Sequence, residues 1–317
     1  MALAPVENPR QLRVVEHDVS HRHPVYLYLM GVSASTRRNR AYRLEQLASW
    51  LSNGRVNALT YPWHELRAPE ILALRVKLIE GYAPGTVNQY LNTVRGVIGS
   101  CWRAGLLPAD AHAAIRDVPG VANTRLPAGR DVQPDEVHRL IEVCRRDGDL
   151  ASIRDVAILA LLYGTGMRRA EVAGIALGDY DPHPVSFRVV GKGNKQRMVY
   201  APPWVVEPIA AWLEVRGLSE GALFTSLSYG RVDRTYRHLT PHAIWQMLKK
   251  RAAQAGLESL STHDFRRTYV GDMCDQGVDL PTIARNVGHA NVNQTARYDR
   301  RGARTQQKAA ALLPSPL

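Results

Sequence analysis

Apolar residues recur at helical spacing along most of the chain, and only one stretch in the second half departs from that rhythm. From Val25 onward, Tyr26, Leu29 and Met30 give way to Tyr42, Leu44, Leu47, Trp50 and Leu51, with Arg37, Arg38, Arg40 and Arg43 between them. This spacing predicts helices with one apolar and one basic face. A second helical group is predicted over 71–79 and 86–102, where Thr86 can cap and Tyr90, Leu91, Val94, Val97 and Ile98 return every three or four positions. Residues 25–118 thus read as all-helical. Pro119-Gly120 through Leu126-Pro127-Ala128-Gly129 has no periodicity and reads as a linker.

A new helix opens at Gln133-Pro134-Asp135-Glu136, with proline early and acids in its first turn, and Val137, Leu140, Ile141 and Cys144 line one face. Residues 153–163 are apolar nearly all round, which places that helix in a core. It ends at Gly164-Thr165-Gly166, and Met167-Arg168-Arg169-Ala170-Glu171 begins another. Residues 185–190 and 196–200 are short β-branched runs around Gly191-Lys192-Gly193-Asn194-Lys195, the pattern of a hairpin with a glycine-rich tip. Helical spacing resumes over 204–216, 242–255, 266–276 and 280–287. The expected fold is mainly α: an all-helical first domain, then a mixed α/β domain with a small antiparallel sheet. The expected divisions are a flexible tail over 1–22, helical domain 23–118, linker 119–132 and second domain 133–317. His21-Arg22-His23, where the tail ends, reads as a solvated basic patch rather than a metal site.

Length and composition fit this plan, since 317 residues with 45% hydrophobic and 22% charged can build two cores. No apolar run reaches the roughly 18 residues of a membrane span, and the N-terminus lacks a basic start followed by an apolar run. No membrane association is expected, and the chain reads as cytoplasmic. Cys101, Cys144 and Cys274 are far apart and odd in number, so neither a disulfide framework nor a zinc knuckle is indicated, and they read as small buried side chains. Charge narrows the function: 41 Lys+Arg against 29 Asp+Glu leave +12, which favours an anionic polymer as partner, nucleic acid first. Only six of the 41 are Lys. A GC-rich genome inflates that ratio but not the net sign.

Four short segments offer groups suited to phosphate. In Gly164-Thr165-Gly166-Met167-Arg168-Arg169-Ala170-Glu171, Arg168 stands at a helix start and Glu171 can brace it. His263-Asp264-Phe265-Arg266 sets His263 and Arg266 on one helical face. Gly288-His289 precedes Tyr298 by nine residues, and Lys192 sits between two glycines. Singly, each has an ordinary reading: a surface cap, a structural ion pair, packing, a solvated turn lysine. There is no H-E-x-x-H, no Walker loop and no metal-binding carboxylate set. Phosphodiester chemistry is still open without metal or cofactor, provided that cations neutralise the phosphorane and a side chain attacks.

In this order and spacing, the segments resemble the tyrosine recombinase family of phage integrases, Xer recombinases and Cre. The pattern is G-x-R-x-x-E, then G-K-G-x-K, H-x-x-R, and G-H with a tyrosine nine residues later, and the resemblance runs from about residue 25 to the end. It implies a helical, SAM-like core-binding domain and a catalytic domain. Arg168 and Arg266 would be the phosphate clamp, Lys192 the general acid, His263 and His289 proton-handling hydrogen-bond partners, and Tyr298 the nucleophile. It further implies no cofactor, double-stranded DNA with a core site as partner, a 3′-phosphotyrosine and Holliday-junction pathway, and a homotetramer on two duplexes that is monomeric or weakly associated when free and resides with the nucleoid. Two departures are Val287, where leucine is usual, and Arg267, where histidine is frequent; neither is expected to touch a catalytic group.

Arg37, Arg38, Arg40, Arg43, Arg95 and Arg103 are the candidates for groove or backbone contacts, against the alternative of a solvated face. A clamp of two domains around the duplex is expected, and residues 303–313 read as a short helix docking on a neighbouring subunit or capping its own. Two other readings stay open at this point. One is a type IB topoisomerase-like or hairpin-forming strand transferase, and the other a non-catalytic DNA-binding regulator.

Overall fold

A computed structural model of the chain describes residues 23–122, 129–191, 194–296 and 298, without the side chains of Ala34 and Ser35. These residues divide at position 126 into two compact units. The tail, Lys192 and the predicted helix over 303–313 lie outside the described residues.

The first unit is helical throughout its regular structure: α1 (Pro24–Met30), α2 (Ala34–Ser52), α3 (Ala68–Gly81), α4 (Pro84–Arg103) and α5 (Ala109–Asp117). Its core joins Leu44, Leu47 and Leu51 to Ile71, Leu74, Leu78, Val87, Leu91, Val94 and Ile98, with α4 packed against the other four helices. Burying each such side chain stabilises the unit by about 1.5–3 kcal/mol. Two expected members of the apolar face, Met30 and Tyr42, are exposed. Tyr42 lies two residues, some 200°, from Leu44 around the helix and so faces away from the buried stripe.

Other details also differ from the sequence reading. His23 is no solvated patch: its Nδ1 accepts from Val25 N at 3.2 Å as the cap of α1, its Nε2 pairs with Leu59 O at 2.8 Å, and it is buried. Ala83, not Thr86, caps α4, because Pro84 at the first helical position needs no N–H partner and lets the helix begin earlier.

In the second unit, α6 (Pro134–Asp147) packs on α7 (Leu150–Thr165), which also meets α9 and α11 below. α8 (Arg169–Gly174) follows, then an antiparallel sheet β1-β2-β3 built from Tyr180–Pro182, Val185–Val190 and Gln196–Tyr200. The β2–β3 register runs from Ser186↔Tyr200 to Val190↔Gln196, and beyond it Gly191 N donates to Lys195 O at 2.8 Å. After α9 (Val206–Arg216) come the small hairpin of β4 (Leu227–Ser228) and β5 (Arg231–Val232), and then α10 (Pro241–Gln254), α11 (Thr262–Asp275), α12 (Leu280–Val287) and α13 (Val292–Ala296). The fold class is therefore mainly α with small antiparallel sheets.

The nearly all-apolar α7 is central, as its sequence demands, but it carries one buried charge. Asp155, 2% exposed, receives Arg251 Nε at 2.9 Å from α10, and Arg251, 0% exposed, also reaches Ser152 Oγ at 3.0 Å and Asp147 Oδ2 at 2.5 Å. This buried network ties α6, α7 and α10 together and is satisfied on every guanidinium nitrogen. All three cysteines are buried thiols. Burial pushes the thiols of Cys101 and Cys144 up to about 12 and 11, which leaves both unreactive.

Candidate active site

Five of the six residues expected to carry chemistry converge in the second unit; the sixth, Lys192, is outside the described residues. Convergence begins with α7 ending at Gly166, which adopts the left-handed φ of 60° and closes the helix onto Leu162 O at 3.1 Å. A side chain there would meet the Tyr269 ring at 2.8 Å, so only glycine fits. The tight turn sets Arg168 at the N-cap of α8, where Glu171 Oε2 accepts its backbone N–H at 2.9 Å.

From that cap the Arg168 guanidinium reaches Glu171 Oε1 at 2.9 Å, Val287 O at 3.3 Å and Gly288 O at 3.0 Å. Arg266, on the first turns of α11, donates to Gly166 O at 3.0 Å and to the same Val287 O at 2.5 Å. One carbonyl at the end of α12 thus gathers two guanidinium groups. Arg266 is 1% exposed, and burial and then the charge of Arg168 bring its pKa down to about 10. It remains a cation at neutral pH.

A third arginine belongs to the cluster. Arg197 on β3 forks Glu171 through two bonds of 2.9 and 3.0 Å and donates its Nε to Asn286 O at 3.1 Å. Gly288, with φ of 65°, packs so closely that a Cβ would lie 2.8 Å from Arg197 Cζ. Glu171 is therefore the anionic centre of an arginine cluster. Burial alone would raise its pKa, but hydrogen bonds from Arg197 and the Arg168 backbone hold the carboxyl below the usual range. A signal for Arg197 was present in the sequence: in β3 it stands two positions from Val199 and so on the same, inward face, where a charge needs a partner. The turn preceding Lys192 stands beside this centre, since a Cβ on Gly191 would lie 3.7 Å from Glu171 Oε1.

Tyr298 completes the group. Its backbone N–H bonds Thr295 O at 2.9 Å just past α13, and its Oη lies 3.2 Å from His263 Nε2. The ring stacks with that of His289 at 6.1 Å between centroids and 17° between planes. His289 in turn pairs Nδ1 with Thr295 Oγ1 at 2.8 Å. Burial and the cations of Arg266 and Arg168 push the His289 pKa down to about 4, and burial, Arg266 and Arg267 also lower that of His263. Both imidazoles are neutral at pH 7 and can accept a proton. The arrangement offers an attacking phenol, a neutral acceptor on its hydroxyl and two fixed cations for an anion. Among the described residues no cluster of His, Cys, Asp or Glu could hold a metal ion.

Arg267 and Val287, expected from sequence to touch no catalytic group, both touch candidate catalytic residues. The Arg267 Cζ lies 5.3 Å from the centroid of the Tyr298 ring, and Val287 supplies the shared carbonyl through its backbone, which any residue would provide.

The six candidate arginines of the first unit divide. Arg37 donates to Leu29 O at 3.1 Å, Arg43 bonds Gln89, and Arg38 is exposed. Arg40, Arg95 and Arg103 line one groove of about 600 Å³ together with Arg116, Trp102 and His112. Arg40 also lies over the Tyr28 ring at 4.8 Å, Arg95 donates to Val118 O, and Arg103 reaches Ser100 Oγ at 2.9 Å. The Arg95 Nε is buried and has no hydrogen-bond acceptor among the described residues.

Residues 130–304 match the model of the phage integrase family. Tyrosine recombinase XerC of Alcanivorax borkumensis is 29% identical over 272 residues, covering 84% of this chain and 85% of that protein. Tyrosine recombinase XerD of Proteus mirabilis is 29% identical over 280 residues, with 84% and 83% covered. Among solved structures, the fold is similar to that of the Tn1549 transposon integrase in complex with transposon right end DNA, at a TM-score of 0.66 and 14% identity over 91% of this chain and 99% of that one. It is also similar to a lambda integrase dimer bound to a COC′ core site, at a TM-score of 0.65 and 13% identity, with 89% and 94% covered.

Proposed function

Because the chain belongs to the phage integrase family, we propose that it is a site-specific DNA recombinase that cuts and rejoins strands through a covalent link to Tyr298. The supporting observation is the meeting of Tyr298 Oη with His263 Nε2 at 3.2 Å beside two arginines that share the Val287 carbonyl. In this reading a scissile phosphate occupies the guanidinium groups of Arg168 and Arg266. The Tyr298 oxygen attacks phosphorus, neutral His263 takes the phenolic proton, and the P–O5′ bond breaks. Lys192 gives the leaving 5′ oxygen its proton, and His289 donates a hydrogen bond to a non-bridging oxygen. The bond energy stays in the 3′-phosphotyrosine, so a 5′ hydroxyl of a partner duplex can reverse the step without a nucleotide cofactor. Removing one positioned donor from such a site typically slows the reaction about 10²- to 10³-fold.

We assign residues 133–317 to the catalytic domain and 23–118 to a core DNA-binding domain, joined by 119–132. The basic groove of Arg40, Arg95 and Arg103 is its proposed phosphate-facing surface, supported by the buried Arg95 Nε. The proposed working assembly is a homotetramer on two duplexes passing through a Holliday junction, acting on the chromosome in the cytoplasm. The test is a duplex site selected from a random library, nicked near the cleavage point so that the released fragment diffuses away. An adduct that survives SDS and is lost in Tyr298→Phe is expected; binding without any adduct would make the protein a regulator, and relaxation of supercoils without recombinants a topoisomerase.

A further inference from the structure

Arg266 and Arg267 are consecutive on α11, so their side chains leave the helix about 100° apart and serve different neighbours. Arg266 turns to the Gly166 and Val287 carbonyls, while the Arg267 guanidinium lies against the face of Tyr298, its Cζ 5.3 Å from the ring centroid. At 3% exposure this is a deeply placed cation, and desolvating it is costly unless something nearby compensates. Two groups do so. One is Asp264, a turn earlier on the same helix: a Cβ built on Gly129 would meet Asp264 Oδ1 at 2.5 Å and Arg267 Nε at 3.4 Å, so carboxylate and guanidinium flank a single point of the main chain. Asp264 is itself fixed by Ser261 N at 2.8 Å, Ser261 Oγ at 2.7 Å and Arg130 N at 3.1 Å. The other is the negative face of the tyrosine ring.

From the tyrosine's side the contact matters more. Tyr298 stands on a turn just past the five-residue α13, its backbone N–H joined to Thr295 O. So short a support leaves much of the aim of the ring to its side-chain contacts. His263 holds the hydroxyl, His289 stacks on the ring, and Arg267 lies over it from a helix anchored in the core. In-line attack requires the phenolic oxygen within a few tenths of an ångström of its productive place, so freedom in the ring plane lowers the rate of the chemical step without weakening the hold on DNA.

We propose that Arg267 is a positioning residue for the nucleophile, acting through its cation–π contact with Tyr298 and not through the phosphate. The proposal rests on the reading of Tyr298 as nucleophile. It predicts a split between rate and affinity. Arg267→Met should slow single-turnover adduct formation on the selected site by about 10- to 30-fold, the factor that corresponds to a desolvated cation–π contact. Affinity for the same duplex should stay within about twofold, and Arg267→Lys, which can also hold a cation over the ring, should recover most of the rate.

Adduct formation by Arg267→Met at the wild-type rate would overturn the proposal, as would an affinity that falls in step with the rate, or a lysine variant as slow as the methionine one. Where Arg267→Met does not fold, Arg267→Gln takes its place, keeping an N–H donor toward Asp264; failure of both to fold would make the arginine a structural element instead. A thermal-unfolding cycle without DNA, using Arg267→Gln, Tyr298→Leu and the double variant, separates the two claims. A double variant that loses less than the sum of the singles supports the contact, and strict additivity refutes it. A wild-type protein that forms no adduct refutes the recombinase reading while the cycle still decides on the contact.

Discussion

Replacing Glu171 tests whether the arginine cluster is held together by one carboxylate. The side chain is 4% exposed and accepts four bonds: from Arg168 N and the Arg168 guanidinium, both at 2.9 Å, and from Arg197 at 2.9 and 3.0 Å. Removing one partner of a buried ion pair costs about 3–5 kcal/mol, because the surviving charge stays desolvated. The Arg168 side chain is 39% exposed and recovers water, whereas Arg197 at 16% does not, so the lower end of that range applies. Glu171→Ala is therefore expected to lose about 3 kcal/mol in urea unfolding at neutral pH, and Glu171→Gln about half of it, since the amide oxygen still accepts from one donor. A domain stable by about 5–15 kcal/mol survives either change, so adduct formation can be measured in both.

The pH dependence supplies a second check on the same residue. The Glu171 carboxyl titrates lower in the folded protein than in the unfolded chain, so its stabilisation is complete above the unfolded value near pH 4.3 and is lost as pH falls through the folded one. The stability gap between wild type and Glu171→Gln should accordingly be constant from neutral pH down to about pH 5 and close below about pH 4. An alanine variant within about 0.5 kcal/mol of wild type would refute the reasoning, as would a gap that persists unchanged into strong acid.

Three other expectations can be checked independently. His289, held near 4 by burial and by Arg266 and Arg168, should titrate in a histidine NMR experiment well below its ordinary range; because its folded pKa is the lower one, it favours the fold above about pH 6.5 and withdraws that support as pH falls through 4, and a midpoint above 6 would contradict the cluster. Gly288→Ala should cost about 1–2 kcal/mol for the left-handed backbone, and should slow adduct formation more than that loss explains, because the methyl would sit 2.8 Å from the Arg197 guanidinium; calorimetry together with the adduct assay would show it. DNA affinity should fall with salt with a log–log slope of about −0.9 per phosphate neutralised, and Arg103→Ala should reduce that slope by about one contact, while a flat response would argue against a backbone-dominated interface.

The parts of the molecule that could be read from sequence are those whose signal is local. The β2–β3 hairpin and α12 begin and end where the alternation and the helical spacing say, because β-branched runs beside a glycine turn, and an apolar stripe closed by Gly288, admit few other structures. Less regular elements escape: α5 is largely alanine with a single buried Ile115, and β1 has three residues, too few for any period.

The site divides along the same line. Arg168, His263, Arg266, His289 and Tyr298 stand out in sequence because the spacing of motifs survives in the linear chain, but what holds them is made by contacts across it. Glu171 braces Arg168 from the same turn and is visible at i+3, yet its stronger grip is on Arg197, twenty-six positions away. Arg267 shows why proximity in sequence misleads: one residue from Arg266, the proposed phosphate ligand, it faces another way and meets the ring of the proposed nucleophile. A buried charge beside a motif is better judged by the direction its helix gives it than by its distance from the motif. On α11 a single step of 100° turns a guanidinium from carbonyls at the ends of α7 and α12 to the aromatic face of Tyr298.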